Sequence, residues 1–232
     1  ECVATCDDGI ALAAQLGSPP VQYASIKGLA LTDLGRFDEA WASFQAEVAD
    51  DAHPFGRCMR ELGVAVWLES LGALDRAEAA AKRVWDEAGR LSRTWMQRWM
   101  ADLLTVIAAR RGAGGAELTA WIAKKSDETG FRVSSLAAAE TALARGDFAD
   151  ALAVVDRVAE RSARLGLRRG RVVALETGLR ALARMERWDD LLERVDGEDA
   201  ALVGQEVVLA VTPCGRRLLR LHIELLLKEG GI

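Results

Sequence analysis

The sequence is poor in proline and in the motifs that build catalytic centres. Proline occurs only four times in 232 residues, and tyrosine once. Proline is the strongest interrupter of a helix, so its scarcity leaves long helical stretches unopposed. No segment alternates apolar and polar residues for long enough to suggest a sheet. Histidine occurs twice, as His53 beside Pro54 in a turn and His222 on a leucine-rich stretch. No His-Glu-x-x-His spacing and no Gly-x-Ser-x-Gly elbow exists, so no catalytic residue is assigned and the chain is not expected to be an enzyme. The acidic pairs Asp50-Asp51 and Asp189-Asp190 fall at helix ends, where capping explains them.

Cysteine is also scarce. Cys2, Cys6, Cys58 and Cys214 lack the spacing of a secreted disulfide framework. Cys2 and Cys6 stand one helical turn apart, but no second Cys or His pair completes the four ligands of a zinc site, so no metal is expected. Gly112-Ala113-Gly114-Gly115 is not followed by Lys-Ser or Lys-Thr and reads as a helix connection rather than a phosphate loop. No cofactor follows from any of these motifs.

Positive charge is not in excess: the net charge is -5. A nucleic-acid-binding domain usually carries a basic stripe, so direct nucleic-acid binding is not expected. The local clusters Arg168, Arg169, Arg171 and Arg216, Arg217, Arg220 read as solvated helix ends. Uncharged apolar runs fall short of the ~20 residues that cross a bilayer. Asp7 and Asp8 interrupt the first apolar stretch, which speaks against a signal peptide. A reducing, cytoplasmic setting is the expectation. The absence of an initiating Met suggests a fragment of a longer protein.

What the sequence has is a recurring corner. Hydrophobic residues make up 50% of the chain, enough for a substantial core. A short pattern returns as Gly35-Arg36-Phe37-Asp38-Glu39-Ala40, Gly72-Ala73-Leu74-Asp75-Arg76-Ala77 and Gly146-Asp147-Phe148-Ala149-Asp150-Ala151. A weaker copy reads Glu186-Arg187-Trp188-Asp189-Asp190-Leu191, and a degenerate one runs from Arg111 to Ala116. Counted between Ala40, Ala77, Ala116, Ala151 and Leu191, the steps are 37, 39, 35 and 40 residues, the period of helix-pair repeats. Each copy lies between amphipathic stretches: Ile26, Leu29, Ala30, Leu31 and Leu34 precede the first, and Ala40, Trp41, Phe44 and Val48 follow it. The glycine ends one helix, the acid favours the start of the next, and the large apolar residue fills the corner. A helical hairpin results, and hairpins stack to bury the faces each leaves open.

These features resemble the tetratricopeptide repeat, in which a small residue, a large apolar one, an Ala and a large residue mark the contact of two helices. The first copy supplies Gly28, Leu31, Ala40 and Phe44, and the second Ala65, Leu68 and Ala77 with Ala81 in the large position. The fourth supplies Ala139, Ala142, Ala151 and Val155, and the fifth Leu179, Leu182, Leu191 and Val195. The closing proline of that repeat is missing. Endings such as Ala163 to Gly166 and Gln15-Leu16-Gly17 look like the long-helix variant of large bacterial regulators: LuxR-family activators, STAND-type ATPases and some class III adenylate cyclases. The resemblance implies an all-α fold, a right-handed superhelix of about six hairpins forming one domain over 1–232. It also implies a non-catalytic protein-interaction or regulatory module of a bacterial signalling or transcription regulator.

The periodicity predicts about thirteen helices, near 2–16, 21–34, 37–50, 57–71, 74–91, 93–110, 114–129, 132–145, 147–165, 168–185, 187–195, 199–211 and 215–228. The last, from Gly215 to Lys228, reads as a capping helix or a homodimer surface. By the family alignment, groove-facing positions include Gln22, Asp33, Glu69, Arg98, Glu140, Glu176, Arg180 and Arg184, which would meet an extended protein or peptide partner or remain ordinary solvated faces. Trp95 and Trp99 stand one turn apart with Arg98 between them. They make either inter-repeat core or a recognition patch for a peptide side chain or a small-molecule effector.

Overall fold

The computed structural model describes residues 2–17, 20–46, 53–129, 135–165 and 168–194. Among them, regular structure is entirely helical. The elements are α1 (Cys2–Gln15), α2 (Val21–Asp33), α3 (Phe37–Gln45), α4 (Pro54–Ser70), α5 (Leu74–Arg90), α6 (Thr94–Arg111), α7 (Ala116–Thr129), α8 (Ser135–Arg145), α9 (Phe148–Leu165) and α10 (Arg168–Arg184). A further helical stretch, α11, covers 188–194, and a single 3-10 turn, Gly112–Gly115, joins α6 to α7. The helices predicted over 199–211 and 215–228, including the cap or dimer surface, lie outside the described residues.

Helix boundaries follow local chemistry. α4 starts at Pro54 rather than at residue 57, because proline at the first helical position has its φ already set and gives up only a donor that would be unpaired there. α3 opens with Asp38 and Glu39, which complement the positive end of its dipole. Arg36 closes over the same turn, its Nε 2.6 Å from Glu39 Oε1. Arg187 repeats the device at the head of α11, with Nε 2.5 Å from Asp190 Oδ2.

The corner motif has one geometry wherever it is well formed. Gly35, Gly72 and Gly146 have φ of 74°, 79° and 90°, and Glu186, in the same place in the weaker copy, has 56°. In each, the left-handed residue donates its N–H three residues back and its successor donates five back. Gly72 N–H thus reaches Glu69 O at 2.9 Å and Ala73 N–H reaches Leu68 O at 2.9 Å. The pair satisfies two carbonyls that the helix end would otherwise leave open. Ser92, with φ of 54°, turns α5 into α6 by the same two bonds. At the degenerate copy the bend passes through Gly112 and the 3-10 turn instead.

Packing is serial. α2 pairs with α3, α4 with α5, α6 with α7 and α8 with α9, while α2, α4, α6, α8 and α10 also pack in a row. α10 additionally touches α2. The first helices of the pairs are therefore covered from several sides: α4 buries Leu62, Ala65 and Leu68 together with Glu69 and Ser70. The second helices α5 and α9 sit outside and divide cleanly into apolar and polar faces. The corner markers Ala40, Ala77, Ala151 and Leu191 are all fully buried. Ala116, in the degenerate copy, is exposed.

The tightest fit is at Phe44, which is 0% exposed. Its ring lies against Gly28 of α2 and Gly63 of α4, and a Cβ at either glycine would overlap it. Two facing glycines let one phenyl ring lock two successive repeats. Further on, Leu62, Val84, Trp85, Met96, Met100, Leu104 and Ile107 form one core and Leu143, Leu152, Leu175, Leu179, Leu182 and Leu191 another. Each such side chain contributes about 1.5–3 kcal/mol through burial. Arg111 ties the end of α6 back to α5, reaching Asp75 at 2.6 Å and also binding Glu78. Burial pushes the Glu78 carboxyl up, but hydrogen bonds from Lys82 and Arg111 outweigh it and hold the group below its ordinary range.

Candidate interaction surface

The positions read as groove-facing separate into two groups. Glu69 on α4, Glu140 on α8 and Glu176 on α10 are buried, with 2%, 1% and 0% exposure. Arg180 on α10 is partly buried beside them. Gln22, Arg98 and Arg184 are exposed, and Asp33 is intermediate. Trp95 and Trp99 are 45% and 41% exposed, so the tryptophan pair is surface rather than inter-repeat core.

The buried group is a chain of charges running across the row of first helices. Arg110 of α6 donates from Nη1 to Glu69 Oε1, and its Nε stands 3.8 Å from Glu140 Oε1. Arg180 Nη1 lies 3.3 Å from Glu140 Oε2 and 3.5 Å from Glu176 Oε1. Thr177 Oγ1 is 2.9 Å from Glu140 Oε1 and 2.8 Å from Val173 O, and its single proton serves one acceptor or the other. Charges taken out of water are tolerated only when paired and hydrogen-bonded. These groups therefore hold α4, α6, α8 and α10 in fixed relation, with Arg110 Nε the one buried side-chain nitrogen or oxygen among the described residues that makes no hydrogen bond. Sequence reasoning missed Arg110, which belongs to the network as fully as any acid. The available signal was its place on the stripe Leu103, Val106 and Ile107, all buried, which Arg110 continues by one step.

The exposed group is different in kind. Trp95 and Trp99 have ring centroids 6.4 Å apart and planes inclined at 44°. Arg98 shares their helix face at a spacing of three and one residues. Just before them, Arg93 places its guanidinium 5.2 Å from the centre of the Phe55 ring, and His53 meets that ring edge-on at 6.4 Å. Cations on aromatic faces gain from the ring quadrupole. Trp41 and Trp188 are also exposed, at 38% each, whereas the remaining tryptophans are buried or half-buried. Trp67 donates to Phe37 O at 3.1 Å and stacks on Trp41 at 4.9 Å, and Trp85 meets Trp121 edge-on at 5.5 Å.

Two clefts are bordered by residues of neither group. One, of about 530 Å³, is bordered by Leu152, Asp156, Leu182, Arg187 and Arg194. The other, of about 300 Å³, is bordered by Cys58, Arg57, Glu61, Arg83 and Arg90. In the second, Arg83 pairs with Glu61 at 3.1 Å. Burial foremost, then the charges of Glu87 and Glu61, pushes the Cys58 thiol up to about 11, so it is a poor nucleophile at neutral pH. Among the described residues no group of three or more His, Cys, Asp or Glu is placed to hold a metal ion. No helix among them is long and apolar enough to cross a membrane.

Comparison with protein-family models, with curated proteins and with solved structures yields no match in any of the three.

Proposed function

We propose that this chain is a non-catalytic protein-interaction module, built as a tetratricopeptide-like solenoid and serving a regulatory role of the kind found in large bacterial signalling or transcription regulators. The observation that carries the proposal is the serial packing of α2, α4, α6, α8 and α10, each of the first four paired with the helix that follows it. Stacked hairpins produce a long, shaped surface from short units, and such surfaces bind by many modest contacts rather than in one deep cavity. The two clefts agree with this reading: they are bordered largely by charged residues, several already paired.

The test is selection of a random-peptide display library on the purified full chain, run beside a thermal-shift screen of common metabolites. Enrichment of peptides that bind at micromolar strength or better is the expected result. Failure to enrich any peptide, together with a metabolite that raises Tm by several degrees, would replace the interaction module with a small-molecule sensor.

A further inference from the structure

The contrast between the buried and exposed groups points to where a partner docks and what it is made of. The face where the first helices meet is occupied by the protein's own ion pairs. Glu69, Glu140 and Glu176 are at most 2% exposed, and α10 touches α2. A ligand reaching those carboxylates would have to displace Arg110 and Arg180. The opening turns of α6 make the opposite offer. Trp95 and Trp99 leave 45% and 41% of their surface to solvent. Large aromatic side chains left half in water are costly to the free protein and strongly enriched at binding hot spots. Arg98, on the same face, is exposed and has no carboxylate partner among the described residues. Asp102, one turn on, is engaged with another group. Arg93, at the same end of α6, stands on Phe55 rather than on an acid. Five arginines elsewhere, Arg36, Arg83, Arg90, Arg111 and Arg194, are by contrast paired with carboxylates.

We infer that the Trp95–Arg98–Trp99 face, extended by Arg93 and Phe55, is the docking surface of this module, and that its occupant is an acidic peptide segment carrying an apolar or aromatic side chain. The indoles, inclined at 44° with centroids 6.4 Å apart, present two ring faces to an apolar group. A carboxylate beside that group would meet Arg98 in the two-pronged geometry a guanidinium favours. A basic segment would face the guanidiniums of Arg93 and Arg98 while Asp102, the acid one turn on, is already engaged, so the charge of the partner is specified as well as its greasiness. This inference rests on the interaction-module reading and refines it.

The test repeats the peptide selection on the full chain and measures each enriched peptide against Trp95→Ala/Trp99→Ala and against Arg98→Glu. Both variants alter exposed side chains, and an unchanged Tm verifies that they fold. Enriched peptides should be acidic with an apolar or aromatic residue. They should lose at least about tenfold in affinity on either variant and weaken severalfold between 50 and 500 mM salt, as screening of a surface ion pair requires. Peptides that bind wild type and both variants equally would overturn the location while leaving the module reading intact. Peptides that are basic or uncharged yet depend on the two tryptophans would overturn the stated chemistry. No enriched peptide at all would sink the module reading itself, and this inference with it.

Discussion

Arg110 and Arg98 lie on the same helix, about three turns apart, yet the fold treats them in opposite ways. Arg110 is drawn inside between Glu69 and Glu140, with 9% of its side chain exposed. Arg98 stands in water between two half-exposed indoles. One end of α6 is committed to holding its neighbours, and the other is left available. A surface that binds keeps some groups unpaired in the free state, whereas an interior pairs nearly all of its own. The proposed docking face is the end of α6 whose arginine has no carboxylate partner among the described residues.

The largest expected effect is at the inner end. Arg110→Ala removes the buried guanidinium that binds Glu69 and faces Glu140, and should lower unfolding free energy by about 3–5 kcal/mol in urea titration. Arg98→Ala should stay within about 0.5 kcal/mol. Equal losses for the two would break the comparison. Partial recovery in the double variant Arg110→Met/Glu69→Met would sharpen it, by showing that the penalty lies in the abandoned charge.

Next comes the thiol behind α4. Cys58 is 2% exposed and its ionisation is raised from 9.0 to about 11, whereas Cys2 is exposed. A raised folded-state value means that the stability contribution is complete below pH 9 and fades as pH climbs toward 11. Wild type should thus lose about 2 kcal/mol more than Cys58→Ala across that interval. At pH 8 a thiol reagent should label Cys2 in the native protein and reach Cys58 only on unfolding. Rapid native labelling of Cys58 would show that this part of the interior is open.

Gly63→Ala tests the same interior through shape alone. Alanine is the better helix former by about 1 kcal/mol, but its methyl would overlap Phe44. Overpacking should win, for a net loss of about 1–3 kcal/mol, with Phe44→Leu relieving part of it. A gain in stability would mean that the Phe44 pocket yields easily. The smallest effect belongs to the corners. Glu186 holds a left-handed φ of 56° that costs a side-chain-bearing residue about 1 kcal/mol, so Glu186→Gly should stabilise by that amount. Gly72→Ala should destabilise by a similar amount, both read from denaturation midpoints.

Much of this was open to inspection in the sequence. Gly35, Gly72 and Gly146 announced corners because only glycine adopts positive φ without strain, and the spacing of Ala40, Ala77, Ala151 and Leu191 located buried contacts because a repeated hairpin must close at the same point each time. The match of Gly28 to Phe44 was legible too. The partnership of Gly63 with the same ring was not, since it joins two repeats and no local pattern records it. Glu69, Glu140 and Arg180 read from sequence as groove-facing positions, and the burial of the two acids was not predictable from charge, which ordinarily signals solvent.

The sequence by itself determined which segments coil, where they turn and which edge of each helix is greasy. Those are properties of φ, hydrogen bonding and period, settled within a few turns of chain. Tertiary structure alone decided that Glu69 meets Arg110 from 41 residues away and that Arg180 meets Glu140 from 40. It alone decided that Trp95 and Trp99 stay at the surface. Burial and pairing depend on what the neighbouring repeat presents across the interface, and that depends on how the helices are placed in space.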